Sequence, residues 1–299
     1  MSAPVIITSN DRPDLDGTAC AVAYAELLAR TGTAALPVLP GQLDAEARYV
    51  LGHLGLRAHS IVPPSFNAVV LVDVSALPGL PSFVDPDAVR EVIDHRFHGA
   101  PGSVFPNATV QVEAVGAAAT LILERFVQAG VVPTENSAVL LQAGIQSNTQ
   151  CLKGSVTTQR DLDAVACLRG LHPLPEGLLA GQFRARREEI LADLDAALLR
   201  ETKTFDHPAG SFIVSQLECP GARSLVWECA SPVARLGRRT MVNLVDPTVP
   251  ASVLLVPDPE FRAWVADRTG LTFGGAFAHP EVALLRKQIV RRLLAGGQG

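Results

Sequence analysis

The sequence predicts an α/β protein: an N-terminal parallel-sheet domain with helices on both faces, a linker helix, and a smaller α/β C-terminal domain. Three observations carry this expectation. Apolar runs rich in β-branched residues alternate with helix-spaced segments in the first half, the pattern of a sheet buried on both faces. Several of those runs stop at acidic residues, as strands do beside a ligand crevice. The chain has 299 residues, 48% hydrophobic and 18% charged, enough to bury one large or two modest cores and too apolar for intrinsic disorder.

The elements follow in order. Pro4 to Ser9 (PVIITS) reads as the first strand, and an acidic loop follows it. Asp16 to Arg30 carries an apolar helical stripe, Ala35 to Leu39 reads as a second strand, and Asp44 to Leu54 as a second helix. Val69 to Val74 (VVLVDV) and Glu91 to Asp94 (EVID) are two more apolar strands. From Gly116 the texture turns helical, over Ala117 to Gln128, Glu135 to Gln146 and Asp161 to Leu168. Gln182 to Thr204 is polar on one face and reads as a connecting helix with a solvated side. Beyond it, strands are expected over 211–217, 241–244 and 253–256, and helices over 260–268 and 281–294. The domain limits are therefore 1–182, a linker helix over 183–204, and 205–299.

Composition narrows the function. A net charge of −5 and the absence of a Lys/Arg-rich run argue against duplex nucleic acid or an anionic membrane as the main partner. Five cysteines without CxxC spacing fit buried thiols in a reducing compartment, and no run is apolar and long enough to span a bilayer. The expectation is a soluble cytoplasmic protein.

The chemistry lies where strands stop. Asn10-Asp11-Arg12-Pro13-Asp14-Leu15-Asp16 follows the first strand, Asp73 ends the second apolar run, and Asp94-His95-Arg96-Phe97-His98 ends the third. Carboxylates gathered at one cleft repel one another unless a cation neutralises them. Oxygen ligands with an imidazole suit Mn²⁺ or Mg²⁺. The alternative is structural: a single Asp at a strand end is commonly a cap, and Asp16 alone could cap the first helix.

The ordered set N-x-x-x-D-x-D at Asn10 to Asp16, L-V-D ending at Asp73 and I-D-H ending at His95 resembles the DHH phosphoesterase superfamily. It is most similar to the branch of manganese-dependent (family II) inorganic pyrophosphatases, exopolyphosphatases and prune proteins. The similarity continues through Val115 to Thr120, Ala143 to Thr149 and Thr157 to Asp161, and in weakened form at Leu284 to Gln288. The resemblance implies a centre of two Mn²⁺ or Mg²⁺ ions, with Asn10, Asp14, Asp16, Asp73, His95 and Asn148 at ligand positions and Asp73 as the bridge; the neutral Asn10 and Asn148 lower the charge there and would leave one ion weakly held. It implies Asp94 as a further member of the catalytic motif, and a C-terminal domain that offers Arg286 and Lys287 to phosphate. A basic pair late in a helix would equally suit the helix dipole.

Three positions depart from the pyrophosphatase pattern. Asn10 and Arg96 stand where those enzymes have histidines, and Asn148 where they have an aspartate. Arg96 would offer a permanently charged fork to a phosphate oxygen, and His98 is the candidate for proton transfer to the leaving group. The expected function is metal-dependent hydrolysis of phosphoanhydride bonds in pyrophosphate or short-chain polyphosphate. The alternatives are a phosphodiesterase acting on short oligonucleotides or cyclic nucleotides, and a catalytically impaired, regulatory protein that binds a phosphorylated ligand or a partner protein. Phe273 to His279 is only loosely similar to the glycine-rich motif of the diesterases and reads more simply as a tight turn. An exposed strand edge would be compatible with a homodimer.

Overall fold

The computed structural model describes residues 3–96, 101–249 and 251–295. It divides into two units, Met1–Leu152 with Val156–Ala185, and Lys153–Ser155 with Arg186–Gly299.

The first unit runs β1 (Val5–Thr8), α1 (Leu15–Arg30), β2 (Ala35–Pro37), α2 (Ala45–His53), β3 (Ala68–Val72), β4 (Val89–Asp94), α3 (Pro101–Val104), β5 (Thr109–Val112), α4 (Ala118–Gln128), α5 (Glu135–Asn148) and α6 (Gln159–Leu171). α7 (Leu178–Ala192) straddles the division between the units. The five strands form one sheet in the order β2-β1-β3-β4-β5, every neighbouring pair parallel.

The apolar runs become strands because both faces of the sheet are buried. Ile7, Val70, Val72 and Ile93 pack against α1, α4 and α5. Ile6, Val69, Leu71 and Val92 face the other way, under Phe105 and the loop residues Phe66 and Phe83. Long helices thus cover one face, while loops and the short α3 close the other. Each such side chain contributes about 1.5–3 kcal/mol through burial.

The helix starts are specified locally. Asp14 caps α1 by accepting Gly17 N, and Asp44 caps α2 by accepting Ala47 N. Thr158 and Asp161 form a capping box at α6. The strand order also fixes where a ligand can sit. The chain leaves β1 for β2 on one side, whereas β3 lies on the other, so the carboxyl ends of β1 and β3 flank a topological switch point.

The second unit contains α8 (Leu194–Arg200), β6 (Thr202–Phe205), β7 (Phe212–Glu218), α9 (Val226–Leu236), β8 (Thr240–Asp246), β9 (Ala251–Leu255), α10 (Pro259–Thr269), β10 (Phe273–Gly274), β11 (Phe277–Ala278) and α11 (Arg286–Leu294). Its sheet runs β10-β11-β9-β8-β7-β6 and is antiparallel except at β7–β8. Val242, Leu244 and Val253 face α9, and Val214, Met241 and Leu254 face α10 and α11.

Two sequence expectations change here. The span 183–204 is not one helix: Asp193 leaves helical geometry, and its carboxylate accepts Ala196 N to start α8. By Thr202 the chain has become a strand paired with β7. The last helix begins at Arg286 rather than near 281, so Arg286 and Lys287 occupy its first turn. A positive pair there gains nothing from the helix dipole, which removes that explanation for it. Phe273 to Ala278 is a two-strand hairpin turning at Gly275, whose φ is 67°. Among the described residues no helix is long and apolar enough to cross a membrane.

Candidate metal centre

The carboxyl ends of β1, β3 and β4 bring together residues that lie far apart in the chain. Among the described residues, Asp16, Asp73 and His95 each offer a ligand atom within 4.8 Å of the other two.

Asp73 is the first residue beyond β3, and its backbone N donates to Ile93 O at 2.8 Å. Its φ is 57°, in the left-handed region that costs a non-glycine residue about 1–2 kcal/mol. Such strain persists where the surroundings enforce it, most often at functional sites. The carboxylate is buried, and Oδ1 lies 2.5 Å from Arg96 Nη2 and 3.3 Å from His95 Nε2. Oδ2 has no hydrogen-bond partner. Burial alone would raise its pKa, but Arg96 and His95 outweigh that and hold it below the usual carboxylate range.

His95 follows β4 directly. Its Nδ1 lies 3.1 Å from Val115 O, which fixes a proton on Nδ1 and turns Nε2 toward Asp73. Nε2 is buried and meets no hydrogen-bond geometry. Burial disfavours the charged imidazolium, yet Asp73 and Asp16 overcome it and push the pKa upward.

Asp16 does not cap its own helix; Asp14 does. Asp16 reaches instead to the start of α4, accepting Ala118 N at 2.8 Å and Ala119 N at 2.9 Å. Ala117 supplies no side-chain cap there, so this carboxylate fills that role beside the positive helix end. Asn148, the last residue of α5, donates Nδ2–H to Asp16 Oδ2 at 2.8 Å, and the Cys20 thiol lies 3.5 Å from Oδ1. Burial, with Asp73 and Asp14 nearby, raises the pKa of Asp16. Asp14 lies at the edge of the group, with its own pKa pushed up to about 6 by burial and then by Asp73.

Asp94, expected among the catalytic residues, ends β4 at the turn that leads to His95. Its Oδ2 accepts Ser75 Oγ at 2.6 Å, and its Oδ1 accepts the backbone amides of His95 at 2.7 Å and Arg96 at 3.1 Å. These bonds hold the turn that presents His95. Asn10 turns its Oδ1, the atom that would ligate, onto Arg12 N at 2.9 Å within its own loop. Arg96 is partly exposed, and its guanidinium is committed to Asp73. His98 lies outside the described residues.

Sequence reasoning missed Ser75, which no motif marks. It also missed how the later motif segments serve the centre. Asp161 accepts Gly116 N at 2.9 Å and Thr120 Oγ1 at 2.6 Å, locking the start of α4 that Asp16 caps.

In the second unit, Arg286 N donates to Gln216 Oε1, and its Nη1 donates to Glu201 O. Arg286 and Lys287 line a cavity of about 630 Å³ together with Lys203 and Arg291.

No family model matches the chain. A Deinococcus radiodurans protein named "probable manganese-dependent inorganic pyrophosphatase" is 35% identical over 159 residues, 52% of this chain and 50% of its own length. An Exiguobacterium protein of the same name is 28% identical over 205 residues, 68% of this chain and 65% of its own. The chain thus matches between half and two thirds of the length of these relatives. The crystal structure of a Methanococcus jannaschii protein assigned as a family II inorganic pyrophosphatase superposes with a TM-score of 0.68, covering 98% of this chain and 100% of that one at 17% identity. In sequence the chain is similar to bacterial proteins named as probable manganese-dependent inorganic pyrophosphatases, and its fold is that of the Methanococcus jannaschii protein.

Proposed function

We propose that the protein is a divalent-metal-dependent phosphohydrolase that cleaves the phosphoanhydride bond of pyrophosphate or short-chain polyphosphate in the cytoplasm. One observation carries the reading: buried Asp73 Oδ2 and His95 Nε2 have no hydrogen-bond partner, and both residues belong to the tight group with Asp16. An unpartnered buried carboxylate oxygen is costly, and a cation removes the cost. The donor set of carboxylate oxygens and one neutral imidazole fits Mn²⁺ or Mg²⁺. The names of the sequence relatives support the same reading.

Asp16, Asp73 and His95 would hold the cation, with Asp14 beside them. When bound, such a cation makes water a better nucleophile and offsets charge building on the phosphoryl oxygens. The protein's own groups do the rest. Val115 O holds the His95 tautomer, Asp94 and Ser75 hold the turn that presents it, and the Ala118 and Ala119 amides fix Asp16. The permanent charge of Arg96 faces the centre and stabilises a phosphate oxygen there. Arg286 and Lys287, in the substrate-binding part over 205–299, are assigned to a further phosphate. His98 is assigned to protonating the leaving group, and His98→Ala with unchanged turnover would remove it from that role.

Phosphate release from pyrophosphate and tripolyphosphate, with Mn²⁺ or Mg²⁺ and with an Asp73→Ala control, tests the reading. Wild type is expected to release phosphate and the control to lose nearly all of it. A wild type as inert as the control on anhydrides and on diesters favours the phospho-ligand-binding alternative, which the Arg96–Asp73 and Asn148–Asp16 contacts would then explain.

A further inference from the structure

The two contacts that fill one side of the centre bear on how many ions it takes. Asp73 Oδ1 already has a cation against it, the Arg96 guanidinium at 2.5 Å. That charge cannot be titrated away at any ordinary pH. Asp16 Oδ2 is likewise occupied, by Asn148 Nδ2 at 2.8 Å. A carboxylate at position 148 would face Asp16 as a like charge and would require a cation between the two. The amide instead closes the gap with a direct hydrogen bond.

With those bonds made, the unpartnered atoms of the centre are Asp73 Oδ2 and His95 Nε2. The Asp73 side chain is fully buried, so water does not satisfy Oδ2 from bulk. Both atoms belong to the same three-residue group, and they mark one position for a cation. The remaining oxygens of Asp16 and the Oδ1 of Asp73 are held by protein donors.

We propose that the centre takes a single divalent cation, held by Asp73 Oδ2 and His95 Nε2 with Asp16 as third ligand, and that the Arg96 guanidinium and the Asn148 amide stand in for a second. This rests on the metal-dependent reading above and sharpens it. Charge stabilisation that a second ion would give a phosphate comes here from a side chain that cannot be chelated away. A consequence is that metal dependence follows a one-site titration rather than a two-site one.

Metal counting tests this without reference to turnover. Metal-stripped wild type, dialysed to equilibrium against excess Mn²⁺, is expected to retain one Mn²⁺ per chain, with the electron paramagnetic resonance spectrum of an isolated ion. The Arg96→Gln/Asn148→Asp double variant is expected to retain two, with the exchange coupling of a close pair. Two ions in wild type would overturn this inference and leave the metal-dependent reading standing. A folded double variant that still holds one would overturn the stand-in role of Arg96 and Asn148. No retained Mn²⁺ in wild type would overturn both this inference and the metal-dependent reading. If the double variant does not fold, the wild-type count decides alone.

Discussion

Asp16 accepts the backbone amide of Ala118 at 2.8 Å, tying α1 to the first turn of α4 across 102 residues of chain. The same carboxylate that faces Asp73 and His95 therefore also caps a helix. Asp16→Ala is expected to cost about 1–3 kcal/mol by leaving buried amides unpaired. Urea unfolding checks this, and an unchanged midpoint would mean that α4 starts without its help. Asp16→Asn should recover part of that stability, because the amide oxygen still accepts one amide, while Mn²⁺ uptake stays impaired.

Ser75 acts on His95 through Asp94. Ser75→Ala strips the 2.6 Å hydrogen bond from Asp94 Oδ2. It should destabilise the fold by about 1 kcal/mol and weaken Mn²⁺ binding, with Ser75→Thr restoring both because it keeps the hydroxyl. Calorimetric Mn²⁺ titration of the three proteins distinguishes positioning from bulk stability. Lost stability with unchanged Mn²⁺ affinity would confine Ser75 to a structural part.

Close packing around α4 predicts opposite effects for two glycines. A Cβ on Gly116 would meet Thr149 Cγ2 at 2.5 Å and Asp161 Oδ2 at 2.8 Å, whereas one on Gly170, within α6, would meet nothing within 4 Å. Gly116→Ala should destabilise by about 1–3 kcal/mol through overpacking. Gly170→Ala should stabilise by roughly 0.5–1 kcal/mol through helix propensity. Thermal melts of the two variants should move in opposite directions, and a shift of the same sign would refute the packing argument.

Glu26 supplies a pH dependence away from the centre. Burial pushes its pKa up, but hydrogen bonds from Ser137, Thr134 and Arg30 together outweigh it and leave the pKa below its ordinary 4.5. A carboxylate with a depressed folded-state pKa adds stability above the unfolded value, and that stability is lost as pH falls through the folded value. Wild type should therefore lose stability below about pH 4.5 more steeply than Glu26→Gln. Superimposable acid limbs in the two proteins would show that Glu26 carries no such linkage.

Much of the first sheet was readable because its central strands are buried on both faces: Ile6, Ile7, Leu71, Val72, Val92 and Ile93 have no exposed surface. β5 was not, since Thr109-Val110-Gln111-Val112 lies at the sheet edge, half exposed, and shows no continuous apolar run. The break at Asp193 was hidden by helix-forming neighbours on both sides; only the Asp193–Ala196 cap marks it. At the centre, motif order pointed to the residues that gather there, because strand ends converge wherever the sheet is parallel. Motif order says nothing of side-chain partners. The Asp16 bonds to α4, the Ser75 support of Asp94 and the use of Asn10 in its own loop depend on contacts that sequence spacing does not encode.

The most direct measurement is pyrophosphate turnover by metal-stripped wild type as Mn²⁺ is added back. Phosphate release is predicted to be absent without metal, to rise to a plateau as the ion binds, and to stay absent in Asp73→Asn across the whole titration. Equal release with and without Mn²⁺, or an Asp73→Asn variant that follows wild type, would contradict the account.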